Sequence, residues 1–127
     1  MIDGKIHVAG GRFTGPVDRT GLHDVYDPGT NTWSSAPPLP TPRSGLAGTS
    51  YKGLFLVLSG ELPPDHTFPE NEAYDPKANS WRELAPLPAG RHGTSATTDG
   101  NHVYLAGGSL KPGSSAVTNQ LIVFTLP

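Results

Sequence analysis

The sequence predicts an all-β fold, built from short antiparallel strands grouped into repeated four-stranded sheets. Three observations carry that expectation. A phrase recurs, "YDPGTNTW" at residues 26–33 and "YDPKANSW" at 74–81, with its tryptophans 48 residues apart. Gly and Pro together supply 16 and 14 of the 127 residues, a density that marks many turns between short strands. The one helix-like window, "NEAYDPKANSW", is broken by Pro76, which would remove a helical hydrogen bond and clash with the preceding turn.

Taken in chain order, each unit shows the same landmarks. "KIHVA", "LFLVL" and "HVYLA" are β-rich runs halted by small residues, as buried strands are. Asp3-Gly4, Lys52-Gly53 and Asp99-Gly100 precede them and read as two-residue hairpin turns with Gly supplying a positive φ. Gly10-Gly11, Ser59-Gly60 and Gly107-Gly108 follow, spaced 49 and 48 residues. A third strand ends at Tyr26 or Tyr74, and a polar turn leads into a fourth carrying Trp33 or Trp81. The linkers "APPLPTPR" and "APLPAGR" close the unit with Arg43 and Arg91, again 48 apart. The middle copy is whole: "SGLAGTSY", "GLFLVLSG", "NEAY" and "SWREL" are its four strands.

These landmarks resemble the kelch repeat along nearly the whole chain, and segments such as "NEAYDP" and "PTPRSGLA" are similar to those of bacterial kelch proteins. The resemblance implies a β-propeller portion with the first strand of each blade innermost. Residues 1–43 are then a blade lacking most of its inner strand, 44–91 a complete blade, and 92–127 a blade lacking its outer strand. Scaffold roles fall to Gly10, Gly11, Gly60, Gly107 and Gly108, where side chains would collide. Trp33 and Trp81 are expected to wedge between blades beside Tyr26 and Tyr74. Arg43 and Arg91 are expected to donate to backbone carbonyls of the next blade.

About two and a half blades do not make a ring, since propellers have roughly 4–8. Three explanations compete: a C-terminal portion of a larger propeller, a homo-oligomer that completes the ring head to tail, or an open arc. The open arc ranks last, because it exposes edge strands and apolar faces.

A formal charge of −2 without a basic patch argues against nucleic acid. No apolar run of about 18 residues spans a membrane, and the start has no secretory pattern. Zero cysteines removes disulfides and thiolate chemistry and leaves the compartment open. No cofactor is expected.

Strand direction places the loops 12–24, 61–71 and 109–119 at one mouth. Their length and irregularity on a regular scaffold point to binding of a protein, a peptide or a small polar ligand. In kelch adaptors that capture peptides, the residue after the double glycine and the one after Pro-Arg line this mouth. By position these are Arg12, Glu61 and Ser109, then Ser44 and His92. Arg12 is the strongest single candidate, because a guanidinium grips a carboxylate with two parallel hydrogen bonds. Glu61 and Ser109 in the other copies argue against a uniformly cationic site.

Enzyme readings are weaker. Glu61, Asp65 and His66, with His23 and Glu70 elsewhere, invite a metal, but the position matching the third ligand of plant specifier proteins is Pro69. The copper chemistry of galactose oxidase needs a cysteine. Ser44 and His92 lack a third partner for nucleophilic catalysis. The runner-up is a sugar mutarotase or epimerase in the channel, with Glu61 and His92 as acid and base. An inactive or engineered fragment that self-assembles is the bland alternative.

Overall fold

In a computed structural model, residues 1–15 and 19–126 are described. The repeat resolves into three antiparallel sheets and a small ribbon. The first sheet holds β1 (Ile6–Ala9), β2 (His23–Asp27) and β3 (Thr32–Ser35). In the second, β4 (Ala47–Tyr51), β5 (Leu54–Leu58), β8 (Asn71–Asp75) and β9 (Ser80–Glu83) pair in that order. The ribbon is β6 (Glu61–Leu62) with β7 (His66–Thr67). The third sheet holds β10 (Ser95–Thr98), β11 (Val103–Ala106) and β12 (Leu121–Phe124). No helix occurs among the described residues. The all-β propeller portion expected from the repeat is the fold observed.

The ribbon differs from the sequence expectation, which left residues 61–71 as an irregular loop. Glu61 pairs with Thr67 and Leu62 with His66, so the loop forms its own hairpin. The hairpin turns also divide. Asp3-Gly4 and Lys52-Gly53 have positive φ at both residues, as a two-residue turn requires. The Asp99-Gly100 turn is longer: Asp99 Oδ1 accepts the amides of Asn101 (2.8 Å) and His102 (2.7 Å) before β11 begins.

The recurrent phrase has a compact cause. Asp27 and Asp75 each accept a turn amide two residues on, at 2.8 Å. Asn31 and Asn79 take positive φ, a conformation their short polar side chains tolerate. Tyr26 and Tyr74 then reach those asparagines with their hydroxyls, at 2.8 and 2.7 Å. Each tyrosine packs against the tryptophan opposite it in the ladder.

The sheets stack face against face. Phe55, Val57 and Tyr74 of the second sheet bury against Ile2, Ala9 and Leu39, with Trp81 beside them. On its other face Leu56, Leu58 and Ala73 meet Val103 and Leu105 of the third. Glycines at the end of each second strand permit the approach. A Cβ on Gly10 would lie 2.9 Å from the Arg43 carbonyl, and one on Gly60 would lie 2.7 Å from that of Ser44.

Trp33 departs from its expected role. Trp81 lies between sheets, donating from its indole nitrogen to the carbonyl of Pro37 at 2.7 Å. Trp33 occupies the matching place on the first sheet and is 61% exposed, with Ile6 and Val8 exposed on the same face. Among the described residues, no sheet stands on that side.

Arg43 and Arg91 are both fully buried, and each side chain donates into the blade that follows it in the chain. Arg43 donates to the carbonyls of Ser59 (2.6 Å) and Val57 (3.1 Å) in the sheet it opens, and it pairs with the buried carboxylate of Glu72. Glu72 is held by Thr41, through its amide at 3.1 Å and its hydroxyl at 2.8 Å. Arg91 donates to Gly107 O and Gln120 Oε1, because the ladder position matching Glu72 is Ile122. Removing Glu72 would therefore leave a buried guanidinium without its counter-charge. The Glu72→Ala variant is expected to lose about 3–5 kcal/mol of unfolding free energy in urea titrations. Glu83→Ala, an exposed side chain of β9, is the control and should change it by less than about 0.5 kcal/mol. Equal losses would remove the pair from this role.

Candidate functional site

The mouth is built by a seam that repeats between sheets. The amide of Gly11 donates to the carbonyl of Arg43 at 2.8 Å, and that of Gly60 to Arg91 at 2.9 Å. Each seam fixes the residue after the double glycine near the residue after Pro-Arg. Ser44 and Glu61 form an isolated bridge, with Glu61 N donating to Ser44 O at 2.7 Å. His92 and Ser109 form the same bridge one unit later, at 2.9 and 3.0 Å.

Glu61 and His92 meet across the second and third sheets. His92 Nδ1 stands 3.3 Å from Glu61 Oε2, an ion pair when the ring carries both protons. Both side chains are largely shielded from solvent. Gly45 lies under them; a Cβ there would come within 3.0 Å of Glu61 Cγ and 3.2 Å of His92 Cβ. The other ring nitrogen of His92 faces the carbonyls of Lys111 (2.9 Å) and Gly113 (2.7 Å), so Nε2 carries a proton and donates. Ser109 donates its hydroxyl to Lys111 O at 2.6 Å. Four of the five expected mouth residues thus converge and are largely committed to one another.

Arg12 is the exception. It is exposed and makes no ion pair among the described residues, and Phe13 beside it is 68% exposed. Part of the expected mouth loop, residues 16–18, lies outside the described residues. Among the described residues no three His, Asp or Glu side chains converge as a metal set would. His66 instead packs edge-on against Phe68.

One cluster went unnoticed in the sequence. His7 Nδ1 and His23 Nε2 lie 3.0 Å apart between the first two sheets, and His23 Nδ1 lies 3.1 Å from the carbonyl of Pro37. Burial lowers the proton affinity of both rings below the ordinary histidine value, and for His7 the neighbouring imidazole adds to the effect. Neither histidine sits at a repeat landmark, so only their departure from the matching Leu56 and Asn71 could have signalled them.

No protein-family model matches the chain. An F-box/kelch-repeat protein of Arabidopsis thaliana is 38% identical over 61 residues, which are 48% of this chain and 16% of that protein. The solved structure of YjhT superposes with a TM-score of 0.77 at 19% identity, covering all of this chain and 50% of that one. The chain therefore spans 16% of the curated relative and half of the solved one. The matched 61 residues are similar to a kelch-repeat protein, and the three stacked sheets have the fold of a propeller portion.

The carbonyl strap at His92 yields a local prediction. His92→Ala is expected to speed amide exchange at Leu110 and Thr118 at least about tenfold, while β5 and β8 amides keep their protection. Unchanged exchange at those two amides would mean that the backbone bridges alone hold the loop.

Proposed function

We propose that the chain is a binding scaffold whose long-loop mouth takes an acidic peptide segment or a small anionic ligand. The observation that supports this most is the contrast between Arg12 and its neighbours. Ser44, Glu61, His92 and Ser109 are locked into bridges that stiffen the rim, while Arg12 is left exposed. A guanidinium on a rigid rim loses little on capturing a carboxylate, and Phe13 adds an aromatic face beside it. Arginine and aromatic side chains are enriched among residues that dominate interface energies.

The scaffold is completed by further sheets. Ile6, Val8 and Trp33 on one flank, and Leu121 and Val123 on the other, expose apolar surface that inner sheets cover. A second copy is one source: two such chains match the length of YjhT, of which one covers 50%. A longer polypeptide carrying the same repeats is the other.

A carbohydrate isomerase is the second reading, favoured by the 3.3 Å approach of Glu61 to His92. Against it, His92 Nε2 is already donated to two carbonyls, which leaves Glu61 to serve as both acid and base. Faster anomeric exchange of reducing sugars by magnetisation-transfer NMR, lost in Glu61→Gln, would establish that reading. No acceleration over buffer is the expected result.

The scaffold reading is tested with a peptide library carrying one Asp or Glu beside an apolar residue. Saturable binding is expected, weakened about tenfold or more in Arg12→Ala and less in Arg12→Lys. Binding that is indifferent to Arg12→Ala, or absent throughout the library, would overturn it.

A further inference from the structure

The geometry points to an acid-sensitive latch: His7 and His23 hold the first sheet on the second while they share one hydrogen bond, and release it on full protonation. The pair is a departure from the repeat. Ladder pairing sets His7 opposite Val25 and His23 opposite Ala9. The matching positions of the second sheet are Leu56 and Asn71, and those of the third are Tyr104 and Leu121. Asn71 makes the bond that His23 makes, donating from Nδ2 to Ala85 O at 3.2 Å where His23 Nδ1 faces Pro37 O. The second unit thus sets one donor beside an apolar residue here, and only the first sets two imidazole rings.

The proton count fixes how the latch works. A carbonyl only accepts, so His23 Nδ1 carries a proton and its bare Nε2 accepts from His7 Nδ1–H. A third proton fits on the free nitrogen of His7 with the shared bond intact. A fourth sets two N–H groups head to head and splits the pair. Even the third is opposed, because burial strips water from the charged ring. The second sheet meets the pair with Phe55 from β5, Tyr74 from β8 and Trp81 from β9. The charged groups acting from the first sheet are Lys5 and the terminal amine of Met1, which repel a cation at His7, and Asp24, which favours one at His23.

Trp81 and Pro37 tie the consequence to the interface. The Pro37 carbonyl accepts from both Trp81 and His23, so a His23 displaced by its own charge disturbs the contact that seats the tryptophan. The sign follows from linkage. Rings that bind protons more weakly when folded leave the unfolded chain with more bound protons just below the ordinary histidine value. Stability is then full above about pH 6.5 and falls as acid is added.

The test compares the melting temperature of the 127-residue protein between pH 7.5 and 5 with that of His7→Leu/His23→Asn, which copies the second sheet's own solution. His66, His92 and His102 remain in both. The wild type is expected to lose at least about 4 °C more than the variant over this range. Should the double variant fold poorly, His23→Asn alone serves the comparison. In parallel, imidazole nitrogen NMR should show His23 protonated at Nδ1 and neutral at pH 6. A variant that falls as steeply as the wild type, or a His23 already cationic at that pH, would overturn the latch.

Discussion

The seam of glycine amides and arginine carbonyls sets the spacing on which every other contact depends. Gly11 and Gly60 donate to the carbonyls of Arg43 and Arg91, where each unit hands over to the next inner strand. The glycine beside or at each seam admits no side chain, since a Cβ at Gly10 or Gly60 would overlap a backbone oxygen. At that separation the faces of adjacent sheets interlock as in any protein interior. Burying Leu56, Leu58, Val57 and Leu105, each about 1.5–3 kcal/mol in favour of folding, follows from the spacing.

Much of this was legible in the sequence because it repeats. Tyr-Asp-Pro, the asparagine turn and the tryptophan recur at fixed distances, and a repeated phrase reports a repeated physical need. Position along the repeat does not report every partner, however. Arg43 and Arg91 each donate into the unit that follows, where the first meets a buried carboxylate and the second a glutamine amide. Glu72 is hidden inside a strand-like "NEAY", where nothing marks it as the counter-charge of a residue 29 positions earlier. Trp33 and Trp81 are indistinguishable as sequence and differ only because one has a neighbouring sheet and the other does not. The β6–β7 ribbon lies within a Pro-rich stretch whose composition reads as loop.

The mouth residues show the same limit. Ser44, Glu61, His92 and Ser109 lie close together, tied by backbone bridges between them and by hydrogen bonds of His92 and Ser109 to the carbonyls of Lys111 and Gly113. A rim held in this way presents Arg12 and Phe13 without having to order itself on binding. Under the proposed binding role, the rigidity of the rim and the blade register would have one origin, the paired bridges beside the glycine seam.

Stacked sheets need neighbours on both flanks, and here the outer flanks carry Ile6, Val8, Trp33, Leu121 and Val123 in the open. Light scattering on the 127-residue chain at neutral pH tests that requirement most directly. The account predicts a closed assembly of at least two chains, with Trp33 shielded from aqueous quenchers. A folded, monodisperse particle of 13.3 kDa would contradict it.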